Sequence, residues 1–115
     1  MTIPLNITVR QIGRIAILDL EGCLRLGPSE DALRDRLRLL LAAGTVHIAL
    51  NLARLRDIDS SGIGLVVRTL SQFQHAGGAC VFFAPNDRLR AVFKMVRLES
   101  VLNTAPDEAS ALSRF

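Results

Sequence analysis

The sequence predicts an α/β domain built on a mixed, mostly parallel sheet of four to five strands with packed helices. Three observations carry that reading. Apolar runs of strand length alternate with segments of helical periodicity, the order expected of a sheet that is at least partly parallel. The connections are short and polar, and no Pro/Ser-rich linker or internal repeat divides the chain. Finally, 115 residues that are 50% hydrophobic and 22% charged suit one packed domain over residues 1–115.

Taken in order, Leu5 to Arg10 alternates apolar and polar positions, as an edge strand does. "RIAILDLEG", Arg14 to Gly22, is apolar at nearly every position until Asp19, the mark of a strand covered on both faces. Gly22 ends it, and Arg25 to Ser29 forms a turn. Ser29 is placed as the N-cap of a helix over 30–43, with Glu30 and Asp31 in the first turn where the dipole favours acids. Leu33, Leu37, Leu40 and Leu41 then share one helical face, and Gly44 stops the helix. Val46, Ile48, Leu50 and Leu52 alternate strictly and predict a strand from Val46 to Leu52. Beyond a polar loop, Ile63, Val66, Val67, Leu70 and Phe73 recur at helical spacing up to Gly77 and Gly78. "ACVFFA" predicts a strand over 79–84, and "PND" opens a helix whose apolar face is Leu89, Val92, Phe93 and Val96. A short strand from Val101 to Thr104 and a terminal helix from Asp107 complete the chain.

The formal charge is +3 and the pI about 9.7, with Arg supplying 13 of the 14 basic residues. Acids interleave with them, as in "EDALRDRLR", which describes solvated helix faces better than a nucleic-acid groove. With neither Trp nor Tyr, base stacking would fall to five Phe that lie in apolar patterns. Arg54 and Arg56 are the exception, flanking the polar loop where an anion or acidic partner could meet them. Cys23 and Cys80 lack CxxC spacing and read as buried free thiols of a reducing compartment. His47 and His75 stand apart from each other and from both cysteines, so neither a metal nor a cofactor is expected. "MTIPLNITVRQIG" lacks the features of a secretory leader. The longest apolar stretches fall far short of the roughly 20 residues of a membrane helix, so the expectation is a cytoplasmic protein without a membrane partner.

The unusual segment is "RLRDIDSSGIGLVV", residues 54–67, where two acids, two hydroxyls and two glycines lead into a helix. Strand-to-helix loops at the carboxyl edge of a parallel sheet are where functional groups collect. Asp59 or Ser60 can cap the helix alone, and capping with close glycine packing would explain the pattern without any function. Catalytic readings fit poorly. A calcium loop starting at Asp57 would need a carboxylate where Arg68 stands, and a GxGxxG phosphate loop would need glycine at Val67. A serine nucleophile would need a base, and neither histidine is spaced for it. The protein is not expected to be an enzyme.

Asn51, Leu52, Asp59, Ser60, Ser61, Gly62 and Gly64, set in "LNLARLRDIDSSGIGLVV", resemble the signature of the STAS domain of anti-sigma factor antagonists. The likeness extends over essentially the whole chain, from "LEGCLRLG" to "DEASALSRF". It implies a single STAS domain that binds an anti-sigma factor serine/threonine kinase and so releases a sigma factor. The kinase would phosphorylate the serine after the Asp, here Ser60, with Ser61 the second candidate; a serine phosphatase would reverse it. Arg25, Arg56, Asp57, Asp59, Ser60, Ser61, Gly62 and Gly64 would form the partner surface, with no direct DNA contact. A small switch of this kind is expected as a monomer.

A phosphate adds roughly −1.5 to −2 charge, which the helix N-terminus tolerates. Asp57 and Asp59 would add like charge beside it, and the glycines would keep the surface low for an approaching kinase. A penalty of about 3 kcal/mol at the interface weakens binding more than a hundredfold. The chain departs from the family at "GCLRLG", where it has Arg25 and many members carry an acidic pair near the end of the second strand, and in its basic pI. The alternatives are a STAS scaffold that is never phosphorylated and a nucleotide-binding regulatory domain using Arg54, Arg56 and the helix N-terminus.

Overall fold

In the computed structural model, residues 5–115 are described; residues 1–4, where the stretch read as leader-free begins, lie outside them. Among the described residues five strands and four helices follow one another as β1 (Asn6–Ile12), β2 (Ile15–Leu24), α1 (Pro28–Ala42), β3 (His47–Ile58), α2 (Ser60–His75), β4 (Ala79–Phe83), α3 (Asp87–Met95), β5 (Thr104–Ala105) and α4 (Glu108–Leu112). The strands form one sheet in the order β1-β2-β3-β4-β5. β1 pairs with β2 antiparallel, and every later pair is parallel because a helix crosses over between its strands. The α/β class and the mixed, mostly parallel sheet are as the alternation predicts.

Side-chain alternation divides the apolar residues between two cores. On one face Leu18, Leu50 and Phe82 meet Leu33 and Leu37 of α1, Leu65, Val66, Leu70 and Phe73 of α2, and Leu89 and Phe93 of α3. On the other, Ile17, Ala49, Val81 and Phe83 meet Ala105 and Ala111, with Leu112 of the short α4 packed against them. That double coverage explains why β2 is apolar on consecutive positions: Ala16, Ile17 and Leu18 are all fully buried. Cys23 and Cys80 are buried free thiols, and burial pushes the Cys80 thiol well above its ordinary range. No helix among the described residues is long and apolar enough to cross a membrane.

β1 and β2 each run two residues past their expected ends, β1 to Ile12 and β2 through Gly22 to Leu24. Four further boundaries differ from expectation. Ser29 does not cap α1. Gly27, at φ 112°, is the N-cap residue and Pro28 opens the helix, a position where the missing proline N–H costs nothing. The Ser29 hydroxyl instead closes the preceding turn, accepting from Arg25 N and donating to Arg25 O, both at 2.9 Å. Val96 lies past the end of α3 as its C-cap and is 43% exposed. The last strand is Thr104–Ala105, and Val101 is exposed ahead of it.

The fourth difference matters most for the site. β3 continues six residues beyond Leu52, to Ile58, so Arg54, Arg56 and Asp57 are strand residues and not loop residues. Asp19 faces Asn51 while Glu21 faces Arg54; Gly22 faces Leu55 while Cys23 faces Asp57. β3 therefore carries one extra residue twice, as two successive bulges. Each bulge resets the alternation, so Leu52, Leu55 and Ile58 are all buried despite their spacing of three. Asn51 braces the first bulge. Its carboxamide oxygen accepts from Ala53 N at 3.0 Å, and its nitrogen donates to Asp19 Oδ1 at 2.8 Å.

Candidate functional site

The extended β3 delivers its last residues to the carboxyl edge of the sheet, beside the end of β2, where Leu24 is the register partner of Ile58. Three connections meet there, leading into α1, α2 and α3. Asp59 joins two of them. As N-cap of α2 it accepts from Gly62 N at 2.8 Å through Oδ1, and from Leu26 N in the β2–α1 turn at 2.9 Å through Oδ2. Its own N–H donates to Leu24 O at 3.2 Å. Burial raises its pKa, but these backbone donors and the Arg25 charge outweigh that and hold the carboxyl below its ordinary value.

Asp57 is gripped from two sides. Arg25 of the β2–α1 turn binds Oδ2, and Arg88 of α3 lies 3.3 Å from Oδ1. Burial again pushes upward, and the guanidinium groups prevail, so the pKa is lowered. Asp57 is thus not a free negative charge beside the helix start: the expected repulsion from this acid gives way to an Arg25–Asp57–Arg88 cluster in which two guanidinium groups outweigh one carboxylate.

The two serines differ in their surroundings. Ser60, the first residue of α2, is exposed, and its hydroxyl makes no hydrogen bond among the described residues. Ser61, one position on, is partly buried and donates its hydroxyl proton to Glu30 Oε2. Glu30 comes from the first turn of α1 and is 3% exposed. Its other oxygen is paired with Arg34 at 2.6 Å and lies 3.6 Å from Arg68 of α2. The Ser61 hydroxyl, opposed by burial and helped by Arg34, holds the Glu30 pKa below its ordinary value.

The glycines do different work from that expected of a low surface. Gly62 is buried: a Cβ there would lie 2.7 Å from both Leu24 O and Ile58 Cγ1. Its missing side chain lets the α2 N-terminus seat against β2. Gly64 is half-buried, and a Cβ would meet only the tip of Arg68, at 3.2 Å. Arg56 is exposed on β3, away from the Asp57 ion pairs, and Arg54 lies 3.3 Å from Glu21 across the sheet. Of the residues singled out in the sequence, Arg25, Asp57, Asp59, Ser60, Ser61 and Gly62 come together at one edge. Glu30, Arg68 and Arg88 join them without having been anticipated. A signal for Glu30 existed, since it sits three and seven residues before Leu33 and Leu37 on the buried stripe of α1; reading it as a dipole-favoured acid masked this.

A family model of the STAS domain matches residues 6–111. Among solved structures, the fold is similar to an anti-sigma factor antagonist from Mycobacterium paratuberculosis, with TM-score 0.81 and 14% identity over 99% of this chain and 97% of that one. It is also similar to the Bacillus cell fate determinant SpoIIAA in its phosphorylated form, with TM-score 0.72 and 24% identity over 95% of this chain and 98% of that one. The anti-sigma factor antagonist SpoIIAA in its unphosphorylated form matches with TM-score 0.73 and 21% identity, over 95% and 96% of the two chains.

Proposed function

The chain belongs to the STAS domain family, and from that membership we propose that it is an anti-sigma factor antagonist whose binding is switched by phosphorylation of Ser60. On this reading it is a regulatory binding module and not an enzyme. An anti-sigma factor serine kinase docks at the start of α2 and phosphorylates Ser60, and a serine phosphatase returns the protein to its binding form. The observation that carries the proposal is the exposed, unbonded Ser60 hydroxyl at the first position of a capped helix. A nucleophilic hydroxyl must be reachable and free to turn toward a phosphoryl donor, and the helix N-terminus favours the dianion that results. SpoIIAA, of the same fold, exists in both phosphorylated and unphosphorylated forms.

The surroundings also suggest how the switch discriminates. Because Asp57 is already matched by Arg25 and Arg88, the phosphate opposes the partner by its own bulk and charge, with little help from Asp57. Arg25, on the turn held by Asp59, and the first turn of α2 would form the centre of the docking surface.

The test is the intact mass of the protein recovered from its own cells, beside a Ser60→Ala version. One phosphoryl group that disappears in the variant is the expected result, with Ser60→Asp losing more than about a hundredfold in affinity for the captured kinase. A protein that stays unmodified through growth, starvation and stress would sink the switch and favour a constitutive scaffold.

A further inference from the structure

Two adjacent hydroxyls open α2, yet only one of them is tied down. Ser61 donates to Glu30, a carboxylate 3% exposed and held between Arg34 at 2.6 Å and Arg68 at 3.6 Å. We propose that Glu30 is the residue that decides which serine accepts negative charge: it bars an anion at Ser61 and leaves Ser60 as the sole acceptor. This rests on the phosphorylation reading above for its biological use, but the discrimination is a property of the fold and can be read without a kinase.

The physical reasons are three. A hydroxyl engaged as a donor to a buried carboxylate must break that bond before it can swing out to a phosphoryl donor. Once modified, Ser61 would hold a dianion within hydrogen-bond distance of the Glu30 anion, in a site with little water to screen the repulsion. Arg34 and Arg68 offset part of it, but Arg34 is already shared between Glu30 and Asp31, 3.0 Å away. None of this applies to Ser60, which faces solvent at the positive end of the helix dipole.

The experiment is a set of thermal melts on purified Ser60→Asp, Ser61→Asp, Glu30→Gln and Glu30→Gln/Ser61→Asp. Ser60→Asp is expected to melt within a few degrees of the parent, since an acid at that position suits the dipole. Ser61→Asp is expected to fall by about 5–10 °C. Glu30→Gln alone should also lower the melting temperature by unpairing Arg34, yet in the Ser61→Asp background the same change should raise it. That reversal of sign is what a merely structural role for Glu30 would not produce. Equal melts for Ser60→Asp and Ser61→Asp, or a double variant no more stable than Ser61→Asp, would overturn the proposal. If Ser61→Asp does not fold, native mass spectrometry of the double variant still decides, because a folded Glu30→Gln/Ser61→Asp supports the proposal and an unfolded one refutes it.

In cells, Ser60→Ala should carry no phosphoryl group, whereas Ser60→Ala/Glu30→Gln should gain one that maps to Ser61. Phosphorylated Ser61 in Ser60→Ala itself would refute the role of Glu30. An unmodified parent would instead count against the phosphorylation reading, while the melts still judge Glu30.

Discussion

Asp59 does the most at the scale of a single residue, because its two oxygens hold two different connections. Replacing it with Ala leaves Gly62 N and Leu26 N without their acceptor. The expected cost is about 2 kcal/mol, near the upper end for a helix cap because a second backbone donor is released with it. In a chain of this length that corresponds to a melting temperature roughly 8 °C lower. The pH dependence has a definite sign. The folded pKa of Asp59 is lowered, so the unfolded chain binds more protons in the acidic range, and the stabilisation is complete above the ordinary carboxylate value. It is lost as pH falls through the folded pKa. Melts of the parent should therefore decline from about pH 5 downward, and Asp59→Asn should show a shallower decline over the same range. Asp57 and Glu30, also lowered, contribute in the same direction, so a single substitution flattens the acid limb without abolishing it.

At the scale of elements, the site depends on how closely α2 approaches β2 and on how far β3 runs. The first is set by Gly62. In Gly62→Ala the new methyl meets backbone at Leu24 O and the Ile58 side chain, both at 2.7 Å, and neither can swing aside as a long flexible side chain could. A loss of about 1–3 kcal/mol is expected, measured as a lower denaturation midpoint with an unchanged slope. Gly64→Ala is the control. Its methyl meets only the mobile end of Arg68, and exchanging a helical glycine for alanine contributes up to about 1 kcal/mol, so this variant should be neutral or stabilised. The second requirement is met by the two bulges of β3. Without them, residues beyond Leu52 would fall out of register with the core, and Leu55 and Ile58 could not both be buried.

Across the whole molecule, the two faces of the sheet are unequally covered. Among the described residues three helices pack on one, whereas the other has the five residues of α4 and a small core of Ile17, Ala49, Val81, Phe83, Ala105 and Ala111. Arg10 ties this thin side together, pairing with Asp19 at 2.6 Å and with Glu108 of α4 at 2.5 Å. These groups are part-exposed, so Arg10→Ala should cost no more than about 1 kcal/mol globally. The effect should be local: faster amide hydrogen exchange in α4 and an unchanged rate in β3 and α2. The site edge and the α4 side would then behave as separable regions of one domain.

Periodicity, glycine and capping patterns are local, and the sequence by itself therefore determined the α/β class, the strand and helix order, a helix cap at Asp59 or Ser60 and the family signature around Asp59-Ser60-Ser61-Gly62. Strict alternation from Val46 to Leu52 announced β3 but lost it at the first bulge, because Leu52, Leu55 and Ile58 at intervals of three mimic a helical spacing that only pairing with β2 resolves. Only the tertiary structure decided the partners. Asp57 meets Arg25 and Arg88 across 32 and 31 residues of chain, and Ser61 meets Glu30 across 31. Such contacts arise when parallel strands bring successive crossover connections to one edge of the sheet, and no local pattern encodes which side chains then face each other. The same assembly turned Gly62 from a surface residue into a buried one and separated two neighbouring serines into one that is free and one that is held.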